Sequence, residues 1–475
     1  MIRSTSPRVY LNPHVGEFTP SAHISVAIVG AGASGLSTAL HLHDRGIECA
    51  VFERDDSPSG STALSSGFIP APCTRLQRSL GIMDSVDLFV QDLRAKSQGQ
   101  ASKVIENAYA SAVGPALDAL QVNHGFEWEI LDQFLYPGHS VHRMHTLPER
   151  TGQALMGRLL SCVERLSIPV LTGSLVTEIW LQNQQVIGIG VMREDDSVER
   201  YSCEALVLCC NGYGGNPELI SQHIPEMRGA VFAGHKGNDG SALIWGAQMD
   251  AQLADLSGYQ GHGSWAVPHG VLMTWALMMS GGIQINSLGE RFHDETKGYS
   301  EAAVEVLNQP GGVVWCVFDE RIFTHGSEFP DFRDANQMGA IKKCMSISEL
   351  AVLIGCSQEA LDRTLQGLEV SLRKHSGKDS LTGRIFTNDL KAPFFAVKVT
   401  GALFHTQGGL GIDANSRVLS TSGEPFLNLF AAGGAARGVS GNSVWGYLSG
   451  NGLLSAFAGA YIAACSIADS LGFKK

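Results

Sequence analysis

The chain has 475 residues, 55 of them Gly, with 34 Lys plus Arg against 46 Asp plus Glu and a formal net charge of −12. At ~150 residues per domain this length predicts two or three folding units. The acidic balance excludes nucleic acid as a partner, because phosphate neutralisation needs an excess of Lys and Arg. With 17% charged and 44% hydrophobic residues, disorder is excluded too. Abundant glycine without a collagen period points to tight turns and close backbone approach to a large ligand.

Met1 to Pro20 carry no apolar secretion core, and the ten cysteines form no CxxC pair. Both features predict a reduced, cytoplasmic protein without an iron–sulfur cluster or zinc ribbon. The most apolar stretch, Leu453 to Ala468, is short and includes Ser455, Gly459 and Ser466, which predicts a buried helix and no membrane span.

The first strong element is the run Ile24 to Gly30, a strand ending on glycine. Gly30-Ala-Gly32-Ala-Ser-Gly35 follows, then a helical pattern through Leu36, Leu40 and Leu42, then a second strand, Cys49 to Glu53. A GxGxxG turn in this βαβ setting, with an acid 18 residues beyond Gly35, is the signature of a dinucleotide site. Gly30 permits the turn, Gly32 lets backbone approach a pyrophosphate, and Gly35 lets the helix pack closely on the strand. The N–H groups at the helix start, near Ala33 and Ser34, face the phosphates, and Glu53 accepts from ribose hydroxyls.

Two later segments return to the same sheet. Ala205 to Cys210 is an apolar strand running into Asn211-Gly212-Tyr-Gly-Gly-Asn, and Leu427 to Ala432 is another, ending at Gly433-Gly434. The texture between them differs: mixed helices around Trp265 to Met279, and a charged helical region from Ser346 to Lys374. The expected organisation is therefore a nucleotide domain from residues 1–249 and 399–475, with an inserted α+β domain over 250–398. A second strand–GxGxxG–helix unit is absent, so one dinucleotide must carry the redox chemistry.

The stretch after Glu53 reads Ser59-Gly-Ser61-Thr-Ala-Leu-Ser-Ser66-Gly67. Taken with GAGASG, Glu53, CNGYGGN and NLFAAGG, it resembles the FAD-dependent fumarate reductase / 3-ketosteroid dehydrogenase flavoprotein superfamily over nearly the whole chain. The resemblance implies an α/β, Rossmann-like FAD-binding domain built from both chain ends, with the insertion as a cap or substrate domain. It implies flavin contacts from Ser61, Ser66 and Gly67, from Arg54 beside Glu53, and from Asp239 in an Asn238-Asp-Gly turn. Asn451, Gly452 and Leu453 open the helix aimed at the flavin pyrimidine. The covalent-flavin members carry a His in the Ser/Gly-rich stretch; Ser59 to Gly67 has none, so the FAD is expected to be non-covalent.

The dicarboxylate reductases of that superfamily hold their substrate with Arg and His. Thr274 matches the Thr of their TEAVRGNG motif, but Trp275 and Met278 stand at its Glu and Arg. Arg291-Phe-His-Asp-Glu295 keeps the RFxNE pattern, while Tyr299 occupies the position of the proton-donating Arg. The GANR arginine has no clean counterpart; Arg437 is nearby at different spacing. His405-Thr-Gln-Gly-Gly409 matches HTMGG, and His262 matches a second histidine. Losing two guanidiniums removes the bidentate clamps a dicarboxylate needs.

Trp445-Gly-Tyr447-Leu-Ser449-Gly450 resembles the GYxSG segment of the 3-ketosteroid Δ4-dehydrogenases, in which Tyr and Ser of this segment and a cap Tyr line the flavin face. The resemblance implies Tyr447, Ser449, Tyr299 and His405 as catalytic residues of an oxidoreductase that desaturates a cyclic ketone. Tyr447 would polarise the carbonyl and Tyr299 take the α-proton, with Lys297 or His405 supplying a charge to favour its phenolate. The alternative is a reductase of an unsaturated carboxylate using His262, His405 and Arg437. The expected partners are a small-molecule substrate and an external electron acceptor: a dye, a quinone or an electron-transfer protein.

Overall fold

The computed structural model describes residues 6–132, 135–193, 195–374, 377–379 and 381–473. They divide into two compact units: Met1–Ile224, Gly234–Tyr259 and His405–Lys475 form the first, Pro225–Ala233 and Gln260–Phe404 the second.

The first unit is an α/β structure built on a nine-stranded sheet. Its βαβ segment comprises β1 (Ala22–Val29), α1 (Ala33–His43) and β2 (Cys49–Phe52). β3 (Val198–Leu208) pairs in parallel with β1, and β4 (Pro425–Ala431) pairs in parallel with β3. Their carboxyl ends, such as Val26–Val29 and Ala205–Leu208, read as apolar runs because both faces of the sheet are covered there. α1 packs against α2 (Asn451–Ser470), the long helix that follows β4. By length and composition α2 could cross a membrane, but 67% of its most apolar stretch is buried inside the unit.

The register decides where a ligand can sit. Val29 lies opposite Phe52 and Leu208, and Leu208 opposite Ala431, so four strands end together. The loops beginning at Gly30, Glu53, Cys209 and Ala432 therefore leave from one sheet edge. Crevices outside the carboxyl ends of parallel strands are where open α/β sheets bind ligands.

A polar knot lies in the same unit. The fully buried Arg143 pairs with Asp84 at 2.9 Å and with Asp92, and its guanidinium stacks over Phe89 at 4.7 Å. His139 joins it: Nδ1 accepts from Arg143 at 3.3 Å, and Nε2–H donates to the Ser449 carbonyl at 3.0 Å.

The second unit is organised around the long strand Phe394–Thr406. It pairs antiparallel with Val313–Asp319 and Lys342–Cys344, and in parallel with Val231–Phe232. That last pairing places Pro225–Ala233 in this unit, ahead of the start expected at 250 from composition. The strand's run through Thr406 likewise carries the far boundary past 398. Where mixed helices were expected between Trp265 and Met279, the strands Tyr259–Ala266 and Val271–Leu272 form a hairpin, followed by one short helix, Ala276–Met279. The charged stretch gives helices Ile347–Ile354 and Gln358–Lys374.

Two glycines set the close packing of this unit. A Cβ on Gly261 would lie 2.7 Å from Ala303 Cβ, and one on Gly263 2.7 Å from Ala302 Cβ. The glycines flanking His262 thus belong to a strand and admit the helix Tyr299–Leu307 against it. Below them, the fully buried Glu295 accepts from Arg291 at 2.7 Å, Arg384 at 2.8 Å and the Gln284 N–H at 3.0 Å. The two guanidiniums outweigh desolvation and hold its carboxyl down at about 2.

Candidate flavin and active site

The glycine turn after β1 behaves as its spacing predicts. Gly30 has φ +101°, and a Cβ on Gly35 would fall 1.9 Å from the Gly30 carbonyl oxygen, so α1 lies directly on the turn. At Gly32 a Cβ would meet only Thr62 Oγ1, at 3.7 Å. That side of the turn is open to a ligand. The Ala33 N–H donates to Thr62 Oγ1 at 3.1 Å, and Ser34 Oγ donates to Cys209 Sγ at 3.4 Å.

Glu53 is buried and oriented. One carboxylate oxygen accepts from the Ala31 N–H at 2.7 Å and the other from the Asp55 N–H at 3.0 Å, leaving lone pairs for hydroxyl donors. Arg54 pairs with Asp239 at 2.9 Å, and Asp239 accepts from the Ser241 N–H at the start of the helix Ser241–Gln248. Ser61 Oγ accepts from the His235 N–H and from Asn238 Nδ2, tying the Ser/Gly-rich stretch to that turn. Beside it an open cleft of about 310 Å³ is lined by Arg54, Asp55, His235 and Lys236. Gly67 takes φ +71° against Thr151, and Ser66 next to it is half-buried.

The loops after β3 and β4 interlock. Asn211 is left-handed at φ +66° and accepts from the Gly212 N–H; a Cβ on Gly434 would strike Asn211 Oδ1, and one on Gly433 would crowd Ser34. α2 begins after a left-handed Gly450 with no side-chain cap; the Asn451 N–H donates to the Leu448 carbonyl at 3.0 Å, and the helix turns its positive end toward this loop. Asn451 Oδ1 and Ser455 Oγ are buried without a protein partner, while Gly452 and Leu453 are half-buried in the same first turn. Open backbone at Gly32, an oriented acid and orphaned acceptors at a helix start all fit a bound dinucleotide.

The candidate catalytic residues fall in two groups. In the first unit, the His405 ring meets Tyr447 edge-on at 5.6 Å, and Ser449 lies two residues beyond Tyr447, its carbonyl held by His139. His405 Nδ1 accepts from Gln407 Nε2 at 3.0 Å, and burial lowers its pKa to about 4. His405 is therefore neutral at pH 7 and offers no charge to a phenolate, contrary to one expectation from the sequence. Arg437 is committed to Asp255 at 2.7 Å.

In the second unit, Tyr299 opens the helix Tyr299–Leu307, and its ring stacks on His262 at 4.8 Å and 18°. Trp275 packs edge-on against the same imidazole, at 5.6 Å. His262 is fully enclosed, and burial lowers its pKa to about 3. Sequence reasoning missed Thr62, Gln407, Ser440 and His139. Only Gln407 carried a signal, as the departure from methionine in HTMGG.

The family described as FAD binding domain matches residues 25–453. The chain belongs to that family. It is an FAD-dependent oxidoreductase. It is 25% identical to the NADH:fumarate oxidoreductase of Klebsiella pneumoniae over 423 residues, covering 88% of this chain but only 45% of that protein. Among solved structures, the open conformation of a flavocytochrome c3 fumarate reductase superposes with a TM-score of 0.81 at 23% identity, covering 95% of this chain and 79% of that one. The 3-ketosteroid-Δ4-(5α)-dehydrogenase of Rhodococcus jostii RHA1, solved with 4-androstene-3,17-dione, gives 0.77 at 21% identity, covering 97% and 99%. The FAD fold is thus shared by reductases of acids and dehydrogenases of ketones.

Proposed function

We propose that this flavoenzyme introduces a C=C bond conjugated to the carbonyl of a cyclic ketone, either an alicyclic ketone or a 3-ketosteroid. The observation that carries this reading is the pairing of Arg437 with Asp255, which leaves neutral groups, Tyr447, Ser449 and His405, at the candidate catalytic cluster. Arg291 and Arg384 are likewise committed to Glu295. A dicarboxylate is best held by guanidinium forks free of other partners, whereas Arg437 spends Nε and Nη2 on Asp255; a ketone requires a hydrogen-bond donor where enolate charge develops.

Bound FAD supplies the acceptor for the hydride that leaves the β-carbon. Gly32, Ala33, Glu53 and Asn451 would hold it, without a covalent link. The Tyr447 phenol donates to the substrate carbonyl oxygen. Tyr299 is the candidate base for the α-proton. A free tyrosine has a pKa of about 10, and neutral His262 lends Tyr299 no charge. Electrons then pass to an external acceptor, a dye, quinone or electron-transfer protein, in the cytoplasm. A reductase of an unsaturated carboxylate is the second reading, favoured by the Klebsiella relative's name.

Anaerobic titration of the yellow protein with saturated cyclic ketones and 3-ketosteroids tests the choice. Bleaching of the flavin band with formation of an enone supports the ketone reading. Absence of bleaching, with reoxidation of the dithionite-reduced protein by fumarate-like acids, overturns it. Tyr447→Phe is expected to slow bleaching by ~10²–10³-fold at unchanged flavin content, the usual effect of deleting one oxyanion donor. Acid precipitation is expected to release all the flavin into the supernatant; fluorescence remaining on the polypeptide would refute non-covalent binding.

A further inference from the structure

We propose that Gln407 is a positioning residue that holds His405 as the neutral Nε2–H tautomer, making that ring a fixed hydrogen-bond donor at the first turn of α2. The inference rests on the reading of His405 as part of the active site only for its kinetic consequence; the tautomer itself follows from a chain of hydrogen bonds.

Asn451 Nδ2–H donates to Ser440 Oγ at 3.0 Å. The Ser440 hydroxyl then points its hydrogen at Gln407 Oε1, 2.8 Å away. With that oxygen committed as an acceptor, the other end of the amide is the NH₂, and it faces His405 Nδ1 at 3.0 Å. An amide N–H requires a lone pair on Nδ1, so a neutral imidazole must carry its proton on Nε2. The competing partner is the Thr406 carbonyl, 3.3 Å from Nδ1. Bonding to it would need a proton on Nδ1, which would then point at the Gln407 NH₂, donor against donor.

The rest of Gln407 is anchored as well. Its N–H donates to the Gly258 carbonyl at 2.7 Å, its carbonyl accepts from the Gly438 N–H at 2.8 Å, and the residue is buried. The Nε2 edge of His405 faces Gly452, where a Cβ would lie 2.7 Å from Nε2. An imidazolium there would stand against the positive end of α2. The lowered pKa of His405 agrees with a neutral ring. The corresponding methionine of HTMGG has no N–H to give, so this lock belongs to the glutamine.

The test is ¹⁵N NMR of the FAD-loaded protein with labelled histidine, the His405 signals being assigned by their loss in His405→Gln. The proposal expects a protonated Nε2 and a bare Nδ1 in the native protein. In Gln407→Met the proton should redistribute toward Nδ1, now free to bond Thr406, and in Gln407→Glu it should move to Nδ1 outright. Ser440→Ala, which releases the amide without touching Gln407, should give a mixture and covers the case in which a Gln407 variant fails to fold. A native Nδ1–H tautomer, or native-like signals in both Gln407→Met and Ser440→Ala, overturns the proposal. Gln407→Met should also lower the rate of flavin reduction by ketone about tenfold, the worth of one hydrogen bond, with little change in KM. A shifted tautomer with an unchanged rate upholds the lock and removes His405 from the mechanism.

Discussion

Lowering the pH from 7 to 5 is expected to destabilise the first unit by roughly 5 kcal/mol and the second by about half as much, seen as a falling Tm. The cause is five desolvated imidazoles. Burial, assisted by Arg143 at His139, lowers the pKa of His139, His145 and His405 in the first unit and of His293 in the second to about 4, and that of His262 in the second to about 3. In the unfolded chain each titrates near 6.5, so below that pH the unfolded state binds protons that the folded state refuses. Each group thus contributes stability that is present above 6.5 and lost as pH falls toward its folded value, at ~1.4 kcal/mol per pH unit. Asp331 opposes the trend in the second unit, since burial and Asp334 raise its pKa to about 6, and it offsets part of the loss from His262 and His293. Glu295 adds to the loss only below about 4.5, where the unfolded carboxyl begins to bind a proton. Against a total stability of ~5–15 kcal/mol these are large fractions. A Tm that is flat between pH 7 and 5 would show that these histidines are solvated.

Gly35→Ala is expected to give a protein purified without colour and with a markedly lower Tm. The added methyl would sit 1.9 Å from the Gly30 carbonyl oxygen, 3.1 Å from its carbon and 3.4 Å from Ile28 Cγ2. None of the first two is the end of a flexible side chain, so the turn itself must move. Overpacking of this kind costs ~1–3 kcal/mol or more. The displaced backbone is also the one proposed to face the dinucleotide phosphates. Gly32→Ala separates the two consequences, because its methyl would find only Thr62 Oγ1 at 3.7 Å. That variant should fold with a nearly native Tm yet hold FAD more weakly, which an apoprotein titration followed by flavin fluorescence would measure. Equal Tm losses in both variants would argue that Gly32 serves packing and not cofactor approach.

These two glycines show why the cofactor domain was legible in the sequence. The strand, turn, helix and acid lie within residues 24–53, and each constraint acts over a few residues: an apolar run, a positive φ, a close helix. The resemblance motifs extended the reading to Asn211, Asp239 and Gly433, each a turn with a local requirement. The candidate active site was legible only as residue types. Tyr447 and Ser449 could be named, but not the His139 donor to the Ser449 carbonyl, whose partners stand 310 positions apart. The Gln407–Ser440–Asn451 chain was hidden for the same reason: its three members come from three segments, and each alone reads as an ordinary buried polar residue. The segment Pro225–Ala233 was assigned by composition, whereas its sheet partner, Ala402, decides its place.

The central strand β3 has a further consequence for biosynthesis. It pairs on one side with β1, which precedes it, and on the other with Gln185–Met192 along its first half and with β4 at its Leu206–Leu208 end, with all of the second unit lying between β3 and β4 in sequence. The nascent chain can therefore form the glycine turn and place Glu53 early, while the Leu206–Leu208 edge of β3 stays unpaired until β4 emerges. Such open edges invite mispairing, and long-range parallel pairing is slow. If FAD touches both the early turn and the late helix, as proposed, it would clasp the two halves of the sheet, so flavin supply during expression should govern how much chain escapes aggregation.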